Sequence, residues 1–88
     1  MTHRIKAILV DKDGLTQREA QIAALLCEGL SNKAIARRLA VKLCTVHKHL
    51  EHVYAKLECQ QHEFDSRCAA IATLFRRGMV SFTCDEGA

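Results

Sequence analysis

The sequence predicts an all-α domain of four helices preceded by a short N-terminal arm or strand. The 88 residues contain no proline and four glycines, so little in the chain interrupts a helix. Apolar residues recur at three- and four-residue spacings over most of its length. Cap and stop residues divide that pattern into separate helices. A chain this short supports one small core and no second. The expected limits are an arm over 1–14, the helical domain over 15–80 and a C-terminal tail over 81–88.

Ile5-Lys6-Ala7-Ile8-Leu9-Val10 is a short β-like run closed by the turn formers Asp11-Lys12-Asp13-Gly14. It fits a strand, an extended arm or a first helical turn. Thr16 and Glu19 have the spacing of a capping box, which opens a first helix over 17–28 with Ile22, Leu25 and Leu26 on its apolar face. Gly29 ends that helix by taking the left-handed conformation. Ser31 caps a short second helix that turns Ile35, Ala36 and Leu39 inward and Lys33, Arg37 and Arg38 outward.

After a tight turn at Ala40-Val41, a third helix runs over 43–57. At about 100° per residue, Val46, Leu50, Val53 and Leu57 form its buried stripe. Cys44, His47, Lys48, Glu51 and Ala55 gather on the opposite side. An irregular stretch over 58–63 leads to a fourth helix over 65–77, ended by Gly78. Phe64, Cys68, Ile71, Leu74, Phe75, Met79 and Val80 cover more than one stripe of this region, so part of that surface is expected to need a partner. The alternative is that residues 5–10 fold back over it within one chain.

The formal charge of +3 is unevenly placed. Between Ser31 and Lys56, the cations Lys33, Arg37, Arg38, Lys42, Lys48 and Lys56 stand against Glu51 alone, a net +5. Basic charge therefore lies over the second and third helices, as a phosphate-neutralising surface requires. No apolar run approaches the roughly 20 residues of a membrane span, and the N-terminus lacks the features of a signal peptide, so a cytoplasmic location is expected. Five scattered cysteines without a C-x-x-C pair suit reduced thiols, with Cys27 and Cys68 expected as small core residues.

Three other chemistries fail on the residues. The run ending in Asp11-x-Asp13-Gly14 is similar to the first motif of the haloacid-dehalogenase phosphatases, but that family needs a much larger fold with further motifs. An EF-hand would need Glu at the twelfth position from Asp11, where Ile22 stands. His47, His49, His52, Cys59, His62 and Cys68 invite zinc, yet His47 and His49 lie about 200° apart on one helix and no set has a structural-site spacing. No metal, other cofactor or small-molecule ligand is implied. No nucleophile, base and orienting group cluster together, so the chain does not read as an enzyme.

Two helices crossing steeply over a tight turn demand particular side-chain sizes. Ile35, Leu39, Val41, Val46 and Leu50 supply the apolar contacts, and Ala36 supplies the small residue at the close approach. Ala40 replaces the usual turn glycine, costing on the order of 1 kcal/mol if its φ is positive.

The elements Leu15-Thr16-Gln17-Arg18-Glu19, Gly29-Leu30-Ser31-Asn32-Lys33-Ala34-Ile35-Ala36, Thr45-Val46-His47-Lys48-His49 and Lys56-Leu57 resemble the pattern of the LuxR/GerE-type DNA-binding domain. The resemblance is close over about half the chain and loose over the fourth helix. It implies a helix-turn-helix transcriptional regulator that binds double-stranded DNA, with the third helix in the major groove and the fourth forming a homodimer contact.

Carried over by position, the resemblance assigns His47, Lys48 and Glu51 to base edges, and Lys33, Thr45, His49 and Lys56 to phosphates, while the place of His49 near the edge of the buried stripe fits a partly buried structural residue equally well. Lysine and histidine can donate to guanine, and a carboxylate can accept from cytosine N4. Ile71, Leu74 and Phe75 are the expected dimer contacts. Lys42-Leu43-Cys44 departs from the family by lacking a capping Ser or Asp, Glu58 stands where Gly is usual, and the connection over 59–65 is longer. The alternative function is a protein-interaction adaptor that retains the scaffold without DNA readout, favoured by the negative Glu51 on the reading face.

Overall fold

The computed structural model describes residues 4–59 and 66–85. Its elements are β1 (Arg4–Leu9), α1 (Gln17–Cys27), α2 (Asn32–Leu39), α3 (Leu43–Lys56), α4 (Ser66–Arg76) and β2 (Val80–Asp85). The four predicted helices are present, and the three whose limits were expected lie within one residue of them. Phe64, His62 and the rest of the connection over 60–65 lie outside the described residues.

Both ends of α1 and the start of α2 have the local causes that the sequence announces. At α1, the Thr16 hydroxyl accepts from the Glu19 N–H at 3.2 Å, while the Glu19 carboxylate accepts from the Thr16 N–H at 2.9 Å. At its other end Gly29 takes φ +88°, and the N–H groups of Gly29 and Leu30 return to the carbonyls of Leu26 and Leu25. Ser31 Oγ accepts from the Ala34 N–H at 3.1 Å and starts α2.

The core lies where α1, α2, α3 and α4 meet. Ile22, Leu26, Ile35, Val46, Val53 and Leu74 are wholly buried, each contributing about 1.5–3 kcal/mol by leaving water. Cys59, just beyond α3, is a buried thiol of this core, with Sγ 3.6 Å from the Thr73 hydroxyl of α4. Cys27 is half-buried, and burial pushes its thiol up to about 11, so it stays protonated.

The N-terminal run is a strand. β1 pairs antiparallel with β2 in a register from Arg4↔Asp85 to Leu9↔Val80. The expected tail over 81–88 is thereby corrected, because Val80–Asp85 forms the second strand. Val80-Ser81-Phe82-Thr83 alternates apolar and polar, and the returning N-terminus supplies the partner that a lone strand lacks. β1 rests on α1, where its Ala7 is buried and the Ala7 N–H donates to the Glu28 carboxylate at 3.1 Å. The Asp11–Gly14 turn is a structural device: Asp11 Oδ1 accepts from the Asp13 N–H at 3.1 Å, and Asp13 pairs with Arg77 at 3.3 Å.

Two expectations for the fourth helix need correction. Ala70, Thr73 and Leu74 face the core, which turns Cys68 outward, so Cys68 is exposed rather than a core residue. Leu74 and Met79, counted as surplus apolar surface, are buried at 0% and 1% exposure. Leu74 therefore has no surface to give a dimer partner. Ile71 is half-buried and Phe75 is exposed.

Candidate nucleic-acid interface

The turn between α2 and α3 forms because α2 closes on a left-handed residue. Ala40 takes φ +56°, ψ +44°, and Val41 N–H donates back to the Ala36 carbonyl at 3.0 Å. Lys42 is the N-cap of α3 and makes no side-chain cap bond, as its departure from a capping residue foretold. The Lys42 side chain thus supplies no acceptor to the backbone N–H groups that open α3.

α3 is cleanly two-sided. Val46 and Val53 are wholly buried, Leu50 and Leu57 nearly so, and together they press on α1 and α2. His47, Lys48 and Glu51 are exposed on the far side with Cys44 and Ala55. The three residues assigned to base edges are thus brought onto one solvent-facing strip. Thr45 and His49, one helical turn apart, are half-buried on the flank of that strip.

The basic surroundings come from α2. Lys33 is exposed in its first turn, and Arg37 and Arg38 are exposed in its last. The N-terminus of α2 is held in place from α4: Arg67 donates to Asn32 Oδ1 at 2.6 Å and to the Leu30 carbonyl.

Lys56 is paired with a buried carboxylate. Its ammonium lies 2.6 Å from Glu19 Oε1, and the Glu19 side chain is only 5% exposed. His52, which drew no role from the sequence, places Nδ1 3.6 Å from Glu19 Oε2. Burial by itself would raise the Glu19 carboxyl, but the hydrogen bonds from Lys56 and the Thr16 N–H and the charges of Lys56 and His52 outweigh it. The carboxyl is held below its ordinary value. The spacing of Lys48, His52 and Lys56 at four-residue steps was visible in the sequence, but their partner is 37 positions from Lys56 and was not.

Residues 13–71 match the luxR family of bacterial regulatory proteins, the GerE domain, which takes in well over half of the chain. The chain belongs to the luxR family. This luxR-family chain is 58% identical over 67 residues to a Mycobacterium bovis protein described as an HTH-type transcriptional regulator. It is 48% identical over 44 residues to the monoamine regulon transcriptional regulator of Klebsiella aerogenes, and 44% over 48 residues to the nitrate/nitrite response regulator protein NarL of Escherichia coli. These alignments take in 76%, 50% and 54% of this chain, but 7%, 19% and 22% of the respective relatives. The luxR family is a class of DNA-binding transcription regulators and not a class of enzymes. Among the described residues, no helix is long and apolar enough to cross a membrane.

Proposed function

We propose that this luxR-family chain reads specific DNA sequences as a cytoplasmic transcriptional regulator by laying α3 in the major groove. The observation that carries the reading is the two-sidedness of α3, whose polar residues His47, Lys48 and Glu51 face solvent while Val46, Leu50 and Val53 are buried. Lys48 and His47 offer donors to guanine, and Glu51 offers an acceptor to cytosine N4. Lys33 at the α2 N-terminus, with Thr45 and His49 on the flank, supplies phosphate contacts that fix register. A homodimer through α4, with Ile71 and Phe75 in its interface, doubles the number of base pairs read.

The exposed carboxylate of Glu51 in the middle of the reading strip favours a second reading, a protein-interaction adaptor on the same scaffold. Fluorescence anisotropy on a random-sequence duplex across a salt series decides between them. The DNA reading expects affinity to fall steeply as salt rises, through loss of counterion release. Absence of binding even at low salt would leave the adaptor.

A further inference from the structure

Glu19 sits at the start of α1, 4% exposed, with both carboxylate oxygens engaged. Oε1 accepts from the Thr16 N–H and from Lys56 Nζ, and Oε2 faces His52 Nδ1. One buried anion thus joins the N-cap of the first helix to the C-terminal half of the third. His52 and Lys56 are one turn apart on α3, and Lys48 is one turn before His52 on the same slowly drifting row. Whatever anchors His52 and Lys56 therefore sets the direction in which Lys48 and its neighbours His47 and Glu51 point.

We propose that Glu19 is a positioning residue for DNA recognition: it withholds Lys56 from the phosphate backbone and uses it, with His52, to set the rotation of α3. The inference rests on the DNA reading above and adds to it. Lys56 has two possible anions, the buried carboxylate and a solvated phosphate. If it left for the phosphate, Glu19 would remain as a buried charge facing only His52 and a backbone N–H, which costs far more than a solvated phosphate contact returns. The short charge-assisted bond to Glu19 therefore persists on DNA. On this proposal Lys56 does not take the phosphate role that the family pattern gives it.

The salt dependence of binding counts phosphate contacts, at about 0.9 in the logarithmic slope for each one on duplex DNA. Anisotropy of the full chain on a random-sequence duplex between about 50 and 200 mM salt supplies that slope. Lys56→Met, which keeps the aliphatic stem, should leave the slope unchanged, and a slope smaller by about 0.9 overturns the proposal. Glu19→Gln keeps the acceptor for Thr16 but releases Lys56, so the slope should steepen by up to about 0.9, and adding Lys56→Met should remove that increase. No steepening in Glu19→Gln overturns the proposal.

The orienting role has its own readout. On a duplex selected from a random pool by the wild-type chain, preference over random duplex should fall severalfold in Lys56→Met and return in Lys56→Arg. Full preference in Lys56→Met overturns it. Circular dichroism checks that each variant is folded; should Glu19→Gln unfold, the two Lys56 variants decide alone. If the wild-type chain does not bind duplex at all, the DNA reading fails and this inference goes with it, an outcome distinct from every slope change above.

Discussion

The ring of Phe75 on α4 stacks on that of Phe82 on β2, their centroids 5.2 Å apart and their planes 20° from parallel. The strand pair thus covers part of the apolar surface of α4 within a single chain, yet Phe75 remains 51% exposed and Phe82 37% exposed. Such a half-covered pair, with Ile71 beside it on the helix, is the surface available to a second copy. We expect two chains to bind an inverted repeat whose half-site centres lie about 10 base pairs apart. Phe75→Glu should leave the fold intact and reduce the complex to one chain per site. Sedimentation on a palindromic duplex checks this, and a wild-type chain that binds it singly would sink the dimer.

On the reading strip, Lys48→Ala should cost about 1–3 kcal/mol on the preferred sequence and much less on random DNA. Equal losses on both would make Lys48 a phosphate contact. Glu51→Gln removes a negative charge from the same exposed face and should raise affinity for random DNA. Unchanged anisotropy curves for Glu51→Gln would place that carboxylate outside the interface.

What was legible in the sequence follows from the range of the forces involved. The stripe Val46, Leu50, Val53 and Leu57 and the opposite face of His47, Lys48 and Glu51 obey helical periodicity, and every one lies on the expected side. Caps at Thr16 and Ser31 are local hydrogen bonds between residues three apart, so their letters announced them. The failures are all long-range. β1 and β2 meet across almost the whole chain, and the alternation within β2 does not name its partner. The facing of α4 is decided by what α1 and α3 leave uncovered, which put Ala70, Thr73 and Leu74 inside and Cys68 outside. The capture of Lys56 by Glu19 was hidden for the same reason.

α3 is bounded at both ends by left-handed residues that are not glycine, Ala40 at φ +56° and Glu58 at φ +59°. Each carries a Cβ strain of about 1–2 kcal/mol, against which glycine would lose about 0.5–1 kcal/mol in chain entropy. Ala40→Gly and Glu58→Gly should therefore each stabilise the fold by about 0.5–1 kcal/mol, raising the melting temperature by about 2–8 °C. The sites stand about 20 Å apart along α3, so the two gains should add. A lower melting temperature for either variant would show that its backbone is not left-handed in solution.

The Glu19 cluster makes a prediction for acid stability. The carboxyl is held below its ordinary value of 4.5, because Lys56, the Thr16 N–H and His52 together outweigh the burial that would raise it. Well above pH 4.5 the group is ionised in both folded and unfolded chains, and the ion pair contributes in full. As pH falls below 4.5, the unfolded chain takes up its proton first, so stability drops until the folded carboxyl is protonated as well. His52 and Lys56 are the titratable side chains paired with Glu19. Glu19→Gln cannot titrate. It should be less stable than the wild-type chain near neutral pH and should close that gap as the solution is acidified, the other carboxylates contributing equally to both proteins. Urea midpoints measured for the two proteins between about pH 3 and 7 check this. Curves that stay parallel through the whole range would mean that the ion pair to Lys56 contributes nothing to folding, and that α3 is held against α1 by Val46, Leu50 and Val53 alone.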